Sequence, residues 1–124
     1  MSYTIGQVAE ETGLSIHTLR FYEKEGILPP VKRNESSRRV YDSADIEWLK
    51  FACCLRDTGM TIAEMKRFAQ LTIQGDETIK ERIKLLLEQK ERINSQIDQL
   101  TNYQSMIDYK IKFYSNNVRH LSDK

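Results

Sequence analysis

Residues 4–26 read TIGQVAEETGLSIHTLRFYEKEG, and their punctuation decides the fold. Thr4 followed three residues on by Gln7 is a capping-box pattern, in which the hydroxyl accepts an orphan backbone N–H and the amide reaches back to the cap's own. Ile5, Val8 and Ala9 then share one apolar face, and Gly13 supplies a stop. Ser15 opens a second helix, SIHTLRFYEKEG, which Gly26 and then Pro29-Pro30 end. Two short helices across the tight turn Gly13-Leu14-Ser15 make a helix-turn-helix, whose second member presents its outer side chains to a groove.

Beyond the prolines, VKR (31–33) and RVY (39–41) are short β-prone pieces around the polar turn NESS, a pattern that predicts a small hairpin, or wing. Asp42 or Ser43 caps a third helix over about 44–58 that ends at Gly59. Thr61 with Glu64 forms another capping box, opening a fourth helix that stops near Gly75.

From Ile79 the character changes. Ile79, Ile83, Leu86, Ile93, Ile97, Leu100, Ile107, Ile111, Tyr114, Val118 and Leu121 recur at alternating four and three spacing, broken by Lys90 and Gln104, with neither Gly nor Pro between. A helix of that length reaches ~60 Å, more than a head of this size can cover, so the stripe needs a second copy. The expected fold is mainly all-α. A winged helix-turn-helix head with a two-strand wing occupies 1–76, a coiled-coil dimerisation helix 77–116, and a tail of doubtful helicity 117–124.

The chain of 124 residues carries 30% charged residues but a net charge of only +1, so no global positive field advertises nucleic acid. Binding must rest on local patches. One is the wing, where Lys32, Arg33, Arg38 and Arg39 face the single acid Glu35. Another is the second helix, where His17, Thr18, Arg20 and Tyr22 can reach outward while Leu19 looks in. Arginine forks onto phosphate oxygens and a phenol donates one hydrogen bond, so Arg33, Arg38, Arg39 and Tyr41 would anchor the wing to DNA backbone or minor groove. The rings of Tyr22 and Tyr41 suit a core equally well. Without a basic start followed by an apolar run, or ~20 successive apolar residues, no leader or membrane span is expected, which points to the cytoplasm. No cofactor or catalytic residue is indicated.

TIGQVAEETGLSIHTLRFYEKEGILPP, followed by RRVYDSADIEWLKFACCLRDTGMTIAEM, resembles the MerR family of bacterial transcriptional regulators over roughly residues 3–75. The resemblance implies a homodimer with an antiparallel coiled coil that binds promoter DNA between over-spaced elements, then bends and untwists it so that RNA polymerase can engage. It places Arg20, Tyr22, Arg39 and Tyr41 at DNA-contacting positions, with His17, Thr18 and Arg56. Members of that family often have Tyr where Phe21 stands and an aromatic residue where Val40 stands, and this chain departs from both. Metal-sensing members have cysteines flanking the dimer helix; DETIKERI and VRHLSDK have none, and His120 alone makes no metal site. Drug-sensing members add an effector domain for which this chain leaves no room, so the signal is expected to act on head or helix.

The two cysteines stand side by side in FACCLRDTG, 51–59. Adjacent thiols make no disulfide framework, which suits a reducing compartment. Helical phase sets Cys53 with Ile46 and Leu49, facing in, and Cys54 with Glu47, Lys50, Asp57 and Thr58, facing out. Cys54 is therefore the candidate thiol sensor, with Lys50 one turn away to favour its thiolate. The F-x-x-C-x-R spacing from Phe51 to Arg56 also resembles a branch of the family that senses aldehydes or nitrosative and oxidative stress. Competing readings are a regulator with a non-thiol signal, a peroxidatic thiol enzyme, which would lack any accompanying histidine or Cys-x-x-C, and a winged-helix module that binds protein.

Overall fold

The computed structural model describes residues 2–29 and 31–122, with side chains through 118. In order it forms α1 (Ile5–Thr12), α2 (Ile16–Glu25), β1 (Lys32–Arg33), β2 (Arg39–Val40), α3 (Ser43–Asp57), α4 (Ile62–Gln74), a 3-10 turn (Asp76–Thr78) and α5 (Ile79–Ser122). The local signals act as the sequence predicts. Thr4 and Gln7 close a reciprocal capping box on α1, Ser15 caps α2, and Thr61 with Glu64 caps α4. Gly13 and Gly26 end α1 and α2 with φ of 75° and 79°, a left-handed conformation that side chains disfavour. Of the two candidate caps for α3 it is Asp42 that serves, paired reciprocally with Asp45.

The wing is an antiparallel pair, Lys32 opposite Val40 and Arg33 opposite Arg39. Asn34 builds its turn, its Oδ1 accepting from the backbone N–H groups of Ser36 and Arg38 at 2.9 and 3.1 Å. Two pairs are little to hold a hairpin. Tyr3 adds to them, exchanging backbone hydrogen bonds of 2.8 and 2.9 Å with Tyr41 and so fastening the wing to the start of the chain.

The head's core gathers Val8, Leu14, Leu19, Tyr22, Ile27, Leu28, Tyr41, Leu49 and Met65. Trp48 stacks on Phe68 at 5.7 Å and donates its indole N–H to the Ile27 carbonyl at 2.8 Å, locking α3 to the loop after α2. Compact packing of the head continues past residue 76 as far as Gln89. Thr78 is buried, Leu86 packs on the core, and Gln89 is 3% exposed. The rest of α5 forms a second unit, Lys90–Lys124. Ile93 there is half-buried, but most of the unit's described apolar residues are bare: Leu100, Ile107, Ile111 and Val118 are each more than half exposed. The helix also runs past Asn116, where helicity was expected to fail, to Ser122; SNNVRHLS contains neither Gly nor Pro to stop it. Leu121 and His120 lie outside the described side chains. Among the described residues no helix is long and apolar enough to cross a membrane.

Candidate nucleic-acid interface and thiol

Between α2 and the wing lies a cleft of about 570 Å³. Arg20 reaches it from α2, and Arg33, Arg38 and Arg39 from the wing, and Tyr3 and Thr4 also line it. Four guanidinium groups on one small concavity are a local cationic site on a chain of nearly neutral charge, well suited to phosphate oxygens. The hairpin's geometry holds part of it in place. Arg33 Nη1 donates to the Ser37 carbonyl at 2.8 Å, and Ser37 adopts a left-handed φ of 61° to present that oxygen. Arg39 Nε donates to Glu23 Oε2 at 2.6 Å, an ion pair with both side chains about three-quarters buried, linking β2 to α2.

The other expected contacts fall in several places. His17 is exposed on the first turn of α2. Thr18 is half-buried and spends its backbone N–H and hydroxyl on Ser15 within the helix cap. Tyr22 is 2% exposed, and its phenol is a hydrogen-bond partner of Arg56. Arg56 is exposed on α3 and also donates to Asp57 at 3.0 Å; these bonds, that to Asp57 foremost, hold its pKa still further above the ordinary guanidinium value. Tyr41 corrects the expectation of an outward phenol. It is 1% exposed, and its hydroxyl is buried without a hydrogen-bond partner. Burial, then the charge of Glu23, pushes its pKa up. The ring fills the core where the wing meets α3, and the backbone bridge to Tyr3 keeps it there.

On α3 the two thiols separate as helical phase predicts. Cys53 is half-buried against the core, and desolvation pushes its thiol pKa up, which favours the unreactive protonated form. Cys54 is exposed. Its carbonyl accepts from the backbone N–H of Thr58 at 3.1 Å and from the Thr58 hydroxyl at 2.9 Å. Thr58 in turn accepts at its carbonyl and hydroxyl from Gln89 Nε2 on α5. Sequence reading passed over Glu23 and Gln89. Neither had a local signal: Glu23 finds its partner Arg39 sixteen residues away, and Gln89 is one polar residue among many on the long helix.

A model of the MerR helix-turn-helix family of regulatory proteins matches residues 3–72, and a second, described as MerR, DNA binding, matches 46–109. A helix-turn-helix transcriptional regulator of Haemophilus influenzae is 45% identical over 114 residues, covering 92% of this chain and 84% of that one. The regulator AdhR of Bacillus subtilis is 40% identical over 89 residues, 72% of this chain and 64% of AdhR. Among solved structures, HiNmlR, a MerR family regulator lacking the sensor domain and bound to promoter DNA, superposes with a TM-score of 0.86 at 44% identity, covering 94% of this chain and 92% of that one.

Proposed function

The chain belongs to the MerR family of helix-turn-helix regulatory proteins, DNA-binding regulators of transcription, and on that premise we propose that it grips a promoter operator as a homodimer and answers electrophilic, redox or nitrosative stress through the Cys54 thiol. The observation that carries the DNA reading is the cleft where Arg20 and three wing arginines converge. Of the expected divisions, residues 1–76 bear the DNA-binding surface, 77–89 belong with that head, and the pairing proposed for 77–116 falls on α5 from Lys90 onward, where the helix continues to Ser122 in place of the expected tail. The bare apolar stripe from Ile97 to Val118 supports the pairing, since an isolated helix has no means of burying it. Two heads then hold two half-sites, and distortion of the DNA between them acts on RNA polymerase through the promoter.

The thiol reading rests on exposure and on backbone connectivity. The Cys54 thiol adds across the C=O of an aldehyde: an S–C bond forms at the carbonyl carbon and the thiol proton passes to the oxygen, so nothing leaves. The Cys54–Thr58–Gln89 hydrogen bonds give an adduct at the end of α3 a route to the long helix without direct contact with DNA. The adduct then biases the equilibrium between distorted and relaxed complexes. AdhR-like and NmlR-like relatives support this branch over a metal sensor.

The deciding experiment measures promoter output in cells and gel shifts on the gene's own upstream DNA, under aldehyde and oxidant challenge, with thiol adducts read by mass spectrometry. Cys54→Ser is expected to bind DNA as the parent does and to lose induction, while Cys53→Ser stays inducible and loses stability as a core change. A fully inducible Cys54→Ser strain refutes thiol sensing. Failure of the parent to shift its own promoter refutes the operator reading.

A further inference from the structure

Beside the four-arginine cleft stands an acid that simple electrostatics would remove. Glu23 lies on α2 close to where phosphates are expected to dock, and a carboxylate there repels them. We infer that Glu23 is a positioning residue: it touches no DNA, and holds Arg39 by the Nε edge so that the terminal guanidinium nitrogens face the cleft.

The geometry follows from the shape of the group. A guanidinium is a planar fork with its donors at fixed angles, so anchoring Nε on one side fixes the direction of the terminal N–H groups on the other. The Nε–Oε2 distance of 2.6 Å is that of a charge-assisted bond, and the pair is shielded, Arg39 being 27% and Glu23 21% exposed. Arg39 nevertheless lines the cleft, so part of its fork remains available there. Its rotamer freedom is already restricted in the free protein, which removes an entropy loss that a mobile arginine takes when it meets a phosphate. Glu23 and Arg39 are sixteen residues apart, and their bond spans from recognition helix to wing. It therefore sets the wing's only described side-chain ion pair with α2, on a hairpin held by two strand pairs.

The inference rests on the DNA-binding reading, and its test separates the two. Binding of the full-length protein to a short duplex of arbitrary sequence is titrated over a range of salt for the parent, Glu23→Gln, Arg39→Ala and the double variant, with thermal melts to confirm folding. Duplex of any sequence suffices because phosphate contacts carry non-specific affinity. Glu23→Gln is expected to weaken binding about fivefold, against the sign that loss of a negative charge predicts, and to lower the salt slope. In the Arg39→Ala background the same substitution is expected to leave affinity unchanged or slightly raised. Tighter binding by Glu23→Gln in the parent background overturns the inference, as does an equal weakening with and without Arg39, which would mark a structural role for Glu23 independent of that guanidinium. A parent protein that binds no duplex at all overturns it together with the DNA reading.

Discussion

Gln89 Nε2 donates to both the carbonyl and the hydroxyl of Thr58, at 3.0 and 2.8 Å, so one buried amide on α5 closes the C-terminal end of α3. Gln89→Leu keeps much of the volume and leaves both Thr58 oxygens without that donor. Losing a donor to part-buried oxygens is costly, and a loss of about 1 kcal/mol is expected in urea unfolding at fixed protein concentration. A change below about 0.5 kcal/mol, the ordinary size for a surface substitution, would mean that water replaces the amide freely.

Tyr41 makes the opposite case. Its hydroxyl is buried and unpartnered, so Tyr41→Phe removes a desolvated group while keeping the ring; stability at neutral pH is expected to hold or rise by up to about 1 kcal/mol. The sign with pH follows from the raised phenol. The folded state binds the proton more tightly than the unfolded chain, so this contribution is complete below about pH 10 and is lost as pH climbs through the folded value. Thermal melts of both proteins from neutral to strongly alkaline pH check it. Parallel alkaline decline in parent and variant would contradict the burial of Tyr41.

Arg20 reaches the cleft from the recognition helix. Arg20→Ala is expected to weaken promoter binding by about 1–3 kcal/mol, the range for a charge-assisted contact. It should also reduce the slope of log affinity against log salt by about 0.9, the contribution of one phosphate contact. Gel shifts at several salt concentrations supply both quantities; an unchanged slope would take Arg20 off the phosphate backbone.

On α5, Ile111 sits in the stripe with more than half its surface bare. Ile111→Glu places a charge in any seam formed there, and sedimentation at micromolar concentration is expected to show two chains for the parent and one for the variant. A parent that sediments as a stable monomer would remove the pairing proposed for 77–116.

How much of this was legible in the sequence depended on the reach of each interaction. The caps at Thr4, Ser15 and Thr61 and the stops at Gly13 and Gly26 are made by neighbours, so residue type and spacing suffice to find them. The inward and outward thiols followed from helical phase alone. The Glu23–Arg39 pair and the Tyr3–Tyr41 bridge join segments whose approach depends on the folded head, and no local pattern announces them. Gln89 was hidden for a related reason: periodicity along the long helix reports the face meant for a partner, whereas Gln89 faces its own head, thirty-one residues from Thr58. Tyr41 had two readings because an aromatic phenol serves core and groove alike, and only burial separates them.

The uncovered stripe of α5 has a consequence for dosage. If the form that grips an operator needs two chains, its abundance in the range where monomers predominate rises as the square of the amount synthesised. Halving expression would then lower it to about a quarter, a sharper dependence than a monomeric repressor shows. Promoter control by this protein would accordingly be sensitive to its own gene's copy number and to dilution at each division, because hydrophobic surface left bare on one helix makes assembly a measure of concentration.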